Sequence, residues 1–411
     1  MNEAVLILGA ANVQIPLIRF VQSKGYRAIV VSIPGDYPGF DIADRCIYCD
    51  VRDGKAILQE IANEKIVAVM TDQTDLPVPT VAYLAKELGL AGNDVQTALI
   101  YTNKCMMREA INEIGLPNVR YYRAHNVEDV AQNWHIYPAI IKPEDNQGSR
   151  GVCRVNCFDE LRNAFDEALS FSKTKHVIVE EFFEGKEVVV EGFVIDGEYL
   201  NLGIGDRIYF NLDNQFIPSQ TIFPSNISLN VQDALLQFER TLHAHLHPSF
   251  GMTHSEYLIN DKGDIRLVET ALRGGGVYIS SHLIPLYAGI NNYDILLDRA
   301  LGKQISLSNI EKQIQRKASA YVCFYLPQGN IVSIEGIAEV GRLEGFIMSD
   351  LGDLKVGNKT TIMTNKTHRL GPIIVAASNR NEIDKLIEKI QKILKINVLT
   401  SSGENKGIIW N

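Results

Sequence analysis

The sequence predicts an α/β fold that passes into α+β: a parallel-sheet domain first, a mixed region second and a β-rich domain last. Three observations lead there. Short apolar runs alternate with helical patterns up to residue 102, the signature of a parallel sheet with helices packed on it. From residue 103 a strong amphipathic helix opens a region in which strands and helices mix, with a hairpin signal at Asp196-Gly197. Near residue 305 the texture changes again, to alternating segments at 318–326 and 331–340 and a Gly- and Thr-rich run at 341–366. The expected divisions are 1–102, 103–305 and 306–411.

Taken in order, residues 5–8 are an apolar strand, and 15–24 place Leu17, Ile18 and Val21 at helical spacing. Residues 28–31 read as a strand, 56–64 as a helix and 66–70 as a third strand, and the helix at 78–88 closes at Gly89. Residues 103–115 put Met107, Ala110, Ile111 and Ile114 on one helical face, and Gly115-Leu116-Pro117 stops them. Helices are expected at 232–246 and 381–394, and the polar tail 400–411 is expected to be mobile.

Composition narrows the function. The chain has 411 residues, 46% apolar and 22% charged, which excludes a mostly disordered protein and leaves room for large cores. Its net charge is −9 and it has no basic run, which argues against general nucleic-acid binding. Apolar stretches are strand-sized, so no membrane span is expected, and the opening MNEAVLILGA lacks the basic segment of a signal peptide. Six cysteines do not make a disulfide framework. Cys46 and Cys49 form a lone C-x-x-C in a strand-like stretch, and Cys153 and Cys157 share a face of an expected strand. Packed thiols in a reducing compartment, hence the cytoplasm, are the reading.

Several segments carry chemistry. Gly9 follows the first strand, but GAANVQ lacks the G-x-G-x-x-G spacing and no acid follows the second strand, so a tight turn is favoured over a dinucleotide site. An apolar strand delivers Lys142, and a loop with Gly148, Ser149 and Gly151 follows. Small residues let backbone N–H groups close over a polyanion while the lysine adds a charge; a solvated hairpin loop remains the alternative. Residues 177–187, VIVEEFFEGKE, form a strand ending in Glu180, Glu181, Phe182 and Phe183, where backbone groups can meet an adenine edge. Glu187 lies within reach of a ribose, and an amphipathic strand with a charged end is the plainer alternative. Across the turn 260–263, Glu256 and Glu269 can face each other. Two carboxylates without a basic partner repel unless a cation joins them, and oxygen ligands favour Mg²⁺ with phosphates. Arg273 follows, and Gly274, Gly275 and Gly276 let main-chain amides approach an anion. His243, His245 and His247 alternate on a helix, which does not bring three imidazoles to one face; they suit its negative end.

In this order the segments resemble the ATP-grasp superfamily of carboxylate–amine ligases, over nearly the whole chain. The resemblance implies a pre-grasp domain containing TDQTDLP, a lid at about 116–182, and a β-rich closing domain. It implies phosphate contacts for Lys104 and Lys142, a mobile loop at 144–151, an adenine hinge at 180–183, and a ribose acid at Glu187. Glu256 and Glu269 would hold Mg²⁺, with Mn²⁺ as a substitute, and Arg273 would stand beside the transferred phosphoryl group. Many relatives carry Glu-x-Asn where this chain has Glu269-Thr270-Ala271. Ala271 offers no oxygen, so the second metal is expected to bind more weakly than the first.

The activity so implied is ATP-dependent joining of a carboxylate to an amine through an acyl phosphate, with ADP and phosphate released. Amino acids or peptides are the expected substrates, and a homodimer is compatible with the resemblance. A bicarbonate-activating enzyme like biotin carboxylase or carbamoyl phosphate synthetase is the alternative within the superfamily, and a nucleotide-binding module with little catalysis the alternative outside it. The Gly274–276 amides would hold the carboxylate or the developing oxyanion, with Gly275 central. His254 shares strand parity with Glu256; lining the substrate site is one reading, and a packed histidine is the favoured one.

Overall fold

A computed structural model describes residues 3–146, 148, 150–212, 216–363 and 368–411. Ser149, expected to touch phosphate, lies outside the described residues.

The N-terminal sheet has four parallel strands in the order Arg45–Tyr48, Arg27–Ser32, Ala4–Leu8, Ile66–Met70. Ala4–Leu8 is apolar throughout because both its faces are covered. Val5 and Ile7 join the core that reaches the helix Ile15–Ser23, while Leu6 and Leu8 pack with Ile57 and Leu84 from the helices Gly54–Glu60 and Val78–Glu87.

The central sheet has eight antiparallel strands in the order Ile265–Ala271, Phe250–Ile259, Lys186–Ile195, Glu198–Tyr209, Pro218–Phe223, Ala318–Phe324, Leu370–Ala377, Phe346–Ser349. Its first hairpin turns at Asp196-Gly197, both with positive φ, as a two-residue turn requires. The sheet joins strands from both sides of the division expected at 305, since Pro218–Phe223 pairs with Ala318–Phe324. The helix Leu229–Leu246 lies against this sheet.

A second four-stranded sheet, Tyr121–Ala124, Val177–Glu181, Ala139–Pro143, Cys153–Val155, is antiparallel. Its apolar face packs Ile141, Val177 and Val179 under Leu161 and Phe165 of the helix Phe158–Ser170. Cys153 lies on a strand, whereas Cys157 does not: it precedes that helix and is exposed. A last small sheet orders Lys359–Thr360, Gly329–Glu335, Lys395–Leu399, Asn405–Lys406.

The tail departs from expectation. Asn405–Lys406 pairs with the strand before it, Ile409 bridges to Tyr325, and the Trp410 ring lies 5.0 Å from Phe324. Ile408 and Trp410 supply the apolar area that docks an otherwise polar segment on a core. No helix among the described residues is long and apolar enough to cross a membrane.

Candidate active site

Lys104 and Lys142 come from different elements and converge on one cleft. Asn103 caps the helix Lys104–Glu113, its side chain accepting the Met106 N–H at 3.0 Å, which fixes Lys104 at the first turn. The Lys104 Nζ donates to the Asn146 carbonyl at 2.7 Å and meets Glu269 Oε1 at 3.2 Å. Lys142 stands near the end of Ala139–Pro143, and its Nζ lies 2.7 Å from Glu180 Oε2.

Glu180 is a buried hub. Its other oxygen accepts Arg108 Nε at 2.8 Å, while Arg108 also donates to the carbonyls of Leu267 and Val268 at 2.6 and 3.1 Å. Burial opposes ionisation of Glu180, but Arg108 and Lys142 outweigh it and bring its pKa down to about 2. Burial pulls the Lys142 ammonium down against the raising effect of Glu180. The Glu180 carboxylate therefore braces the lysine.

That hinge is held from both sides. The Glu181 N–H donates to the Arg120 carbonyl and the Phe182 N–H to that of Pro138, at 2.9 and 3.0 Å. Arg154 lies 4.2 Å from the Phe182 ring centre and Arg266 4.9 Å from that of Phe183, so cations cover both rings. The Phe183 N–H makes no backbone hydrogen bond among the described residues.

The acidic residues are not isolated. Glu256 and Glu269 stand opposite each other in the hairpin register, as their spacing requires. The premise that they lack basic partners fails: Lys104 meets Glu269, and Arg207 Nη1 together with His254 Nε2, at 3.2 Å, meets Oε1 of Glu256. Arg207 also reaches Glu187 at 3.2 Å, and the Tyr209 hydroxyl donates to the other Glu187 oxygen. Glu187 thus begins engaged rather than open to a ribose. Among the described residues no group of three or more His, Cys, Asp or Glu side chains could hold a metal. Two paired carboxylates still fit Mg²⁺, which keeps several waters and takes its remaining ligands from phosphate.

His254 is buried between carboxylates, with Glu191 against Nδ1 and Glu256 against Nε2. Burial disfavours its charged form, but Glu191 and Glu256 outweigh burial and raise its pKa. It is a packed histidine, as expected, whose ring joins two carboxylates. Its neighbour in the chain fold is Gly275, whose N–H donates to Glu191 Oε2 at 3.2 Å. That amide is occupied, so the expectation that Gly275 holds an oxyanion is corrected. Gly274 N–H is taken likewise by Asp72 at 3.2 Å. Gly276 faces open space.

Arg273 is clamped by Asp75, Nε to Oδ1 at 2.7 Å and Nη2 to Oδ2 at 3.1 Å. Burial lowers its pKa and Asp75 more than reverses this, so the guanidinium is charged. Asp72, fully buried, accepts the hydroxyls of Ser280 and Tyr293, both at 2.6 Å. These two aspartates tie the strand-end segment after Ile66–Met70 to the glycine run. Their segment was legible as TDQTDLP, but nothing in it announced which side chains turn inward.

A cleft of about 920 Å³ lies between the smaller antiparallel sheet and the central sheet. Lys104, Lys142, Glu180, Glu181, Phe182, Phe183, Glu187, Glu256 and Glu269 all line it, as do Gly148, Arg108, Arg207 and Tyr209. Arg273, Gly275 and Gly151 do not. Gly151 has φ +70, and a Cβ there would stand 2.8 Å from Phe171, so the position needs glycine for packing. Arg108 was missed although it lies one turn beyond Lys104. Arg207 and Glu191 had no local signal, because only the pairing of distant strands brings them to the site. The histidine run separates as expected: His243 alone is core, bonded to Glu239 and Tyr101.

Residues 135–281 match the ATP-grasp domain family. An uncharacterised protein of Sinorhizobium fredii is 25% identical over 79% of this chain and 66% of its own length. Alanine–anticapsin ligase of Bacillus amyloliquefaciens is 24% identical over 66% of this chain and 61% of its own length. This chain thus spans under two thirds of the length of these curated relatives. The crystal structure of an L-amino acid ligase from Bacillus licheniformis superposes with a TM-score of 0.81 at 21% identity, covering 96% of this chain and 99% of that one. The chain carries an ATP-grasp domain and has the ATP-grasp fold.

Proposed function

We propose that this ATP-grasp protein is a ligase that joins a carboxylate to an amine at the expense of ATP, releasing ADP and phosphate. The observation that carries the reading is the convergence of Lys104, Lys142, the hinge 180–183, Glu187, Glu256 and Glu269 on one cleft. Its volume lies at the upper end of small-molecule sites. The names of the similar ligases make amino acids or short peptides the proposed substrates.

In this reading the Phe183 N–H meets the adenine edge and the Phe182 and Phe183 rings border it. Glu187 exchanges its Arg207 or Tyr209 contact for the ribose hydroxyls. Lys104 and Lys142 bring positive charge to the phosphates in a water-poor cleft, where it acts at low dielectric. Glu256 and Glu269 are the residues that would hold Mg²⁺, which supplies charge neutralisation on the triphosphate when bound. Arg273, fixed by Asp75, and the Gly276 amide orient the substrate carboxylate. A carboxylate oxygen attacks the γ-phosphorus as ADP leaves; the amine then attacks the acyl carbon, phosphate leaves and the nitrogen loses its proton. The loop 144–151 keeps water from the acyl phosphate. Six unpaired cysteines suit a reducing compartment, and the cytoplasm is the proposed one.

The test is ³¹P NMR with mass spectrometry on mixtures of ATP, Mg²⁺, amino acids and other carboxylate–amine pairs. ADP, phosphate and an equal amount of a new amide are expected. AMP with pyrophosphate, or ADP formed with bicarbonate and no amide, overturns the reading.

A further inference from the structure

The face of the hairpin that lines the cleft carries an unusual arrangement. Glu256 pairs with Glu269, and two residues along, His254 pairs with Ala271. Alternation places these four side chains on one face, with the imidazole standing across from Ala271. Ala271 is 1% exposed and offers no oxygen. Next to it, Glu256 is engaged by protein nitrogen atoms. Arg207 comes across from Glu198–Tyr209 and lays Nη1 on Glu256 Oε1, the same oxygen that His254 Nε2 meets at 3.2 Å.

The two carboxylates are therefore unequal. Oε1 of Glu256 already serves two nitrogen donors, and its side chain is 20% exposed. Among the described residues Glu269 meets Lys104 at 3.2 Å, and its side chain is 29% exposed. A second divalent ion on Glu256 would face the Arg207 guanidinium, whose Nη1 also meets Glu187 at 3.2 Å. Two cations on one carboxylate repel each other. The Arg207 Nε is also buried, with no hydrogen-bond partner among the described residues.

We propose that Arg207, seated on Glu256 beside the His254–Ala271 pair, takes the place of a second divalent cation, so that the protein binds ATP with one Mg²⁺ instead of two. The inference rests on the ATP-dependent reading above and adds a residue to it. A fixed guanidinium supplies positive charge beside Glu256, and Glu269, with Glu256 across the hairpin, phosphate oxygens and water, would hold the one ion.

Equilibrium dialysis with Mn²⁺ and a β,γ-imido ATP analogue, read by electron paramagnetic resonance, counts cations per bound nucleotide. Wild-type protein is expected to hold one. The Arg207→Gln/Ala271→Asn variant, which frees Glu256 and restores an oxygen at 271, is expected to hold two. Two Mn²⁺ per nucleotide in the wild type overturn the inference while leaving the ligase reading intact, and that count stands whether or not the variant folds. A variant that binds nucleotide with one Mn²⁺ also overturns it. Failure of the wild type to bind nucleotide at all defeats the ligase reading, and this inference with it.

Discussion

The Nζ of Lys142 lies 2.7 Å from Oε2 of Glu180, and both side chains are buried. A lysine expected to serve phosphate alone is therefore also part of the fold. Breaking a buried pair by removing one partner costs about 3–5 kcal/mol, because the other charge is left uncompensated. Arg108 remains on Glu180 when Lys142 is lost, so Lys142→Ala should cost less than that and still lower the nucleotide-free melting temperature. Arg108→Ala should cost more, since it also strands the carbonyls of Leu267 and Val268. Thermal denaturation without ATP checks the order; Lys142→Ala melting with the wild type shows that the pair contributes nothing.

Glu180 gives the pair a pH signature. Its folded pKa is depressed from 4.5 to about 2. A depressed carboxylate stabilises the fold above its unfolded pKa, and the contribution is lost as pH falls through the folded value. Glu180→Gln should melt well below the wild type at pH 7 and at pH 5, and the gap should narrow towards pH 3. Melting curves of both proteins across that range test it. A gap that widens on acidification contradicts the sign.

Glu187 is expected to trade an internal contact for ribose. A hydrogen bond to a charged group contributes about 1.5–3 kcal/mol. Wild-type protein should therefore bind ATP more tightly than its 2′,3′-dideoxy form, by roughly 10-fold or more. In Glu187→Gln the ratio should shrink towards one, with affinity for the dideoxy nucleotide little changed. Calorimetric titration of the four pairs supplies the cycle. An unchanged ratio would place the ribose elsewhere.

The parts readable in the sequence were those written locally. The strand Ile66–Met70 stands as the apolar run predicts, and the Glu256–Glu269 register follows from a short turn and a period of two. What escaped were partners supplied by distant strands. Asp75 reaches Arg273 across 198 residues, and Glu191 reaches the Gly275 amide across 84. A single sequence states that a carboxylate exists but not which buried cation it meets. The reading of bare metal carboxylates failed for that reason: Arg207 comes from a third strand, two places from Glu256 in the sheet order.

The glycine run separates a structural position from a functional one. A Cβ on Gly275 would stand 2.4 Å from Glu191 Oε1, 2.9 Å from His254 Nδ1 and 2.9 Å from Ile279 Cβ. Gly275→Ala must push apart the buried pair that its own N–H helps hold, so it should lower the melting temperature and the yield of folded protein. A Cβ on Gly276 meets nothing within 4 Å. Gly276→Ala should fold like the wild type and bind nucleotide normally, because Gly276 does not line the cleft. Its added methyl group occupies the space assigned to the substrate carboxylate, so KM for the carboxylate should rise about 10-fold while KM for ATP holds, a penalty of about 1.4 kcal/mol in substrate binding. Melting curves and steady-state kinetics on the two variants decide the matter. Equal melting of both would remove the structural role of Gly275, and an unchanged carboxylate KM in Gly276→Ala would move the substrate away from this turn.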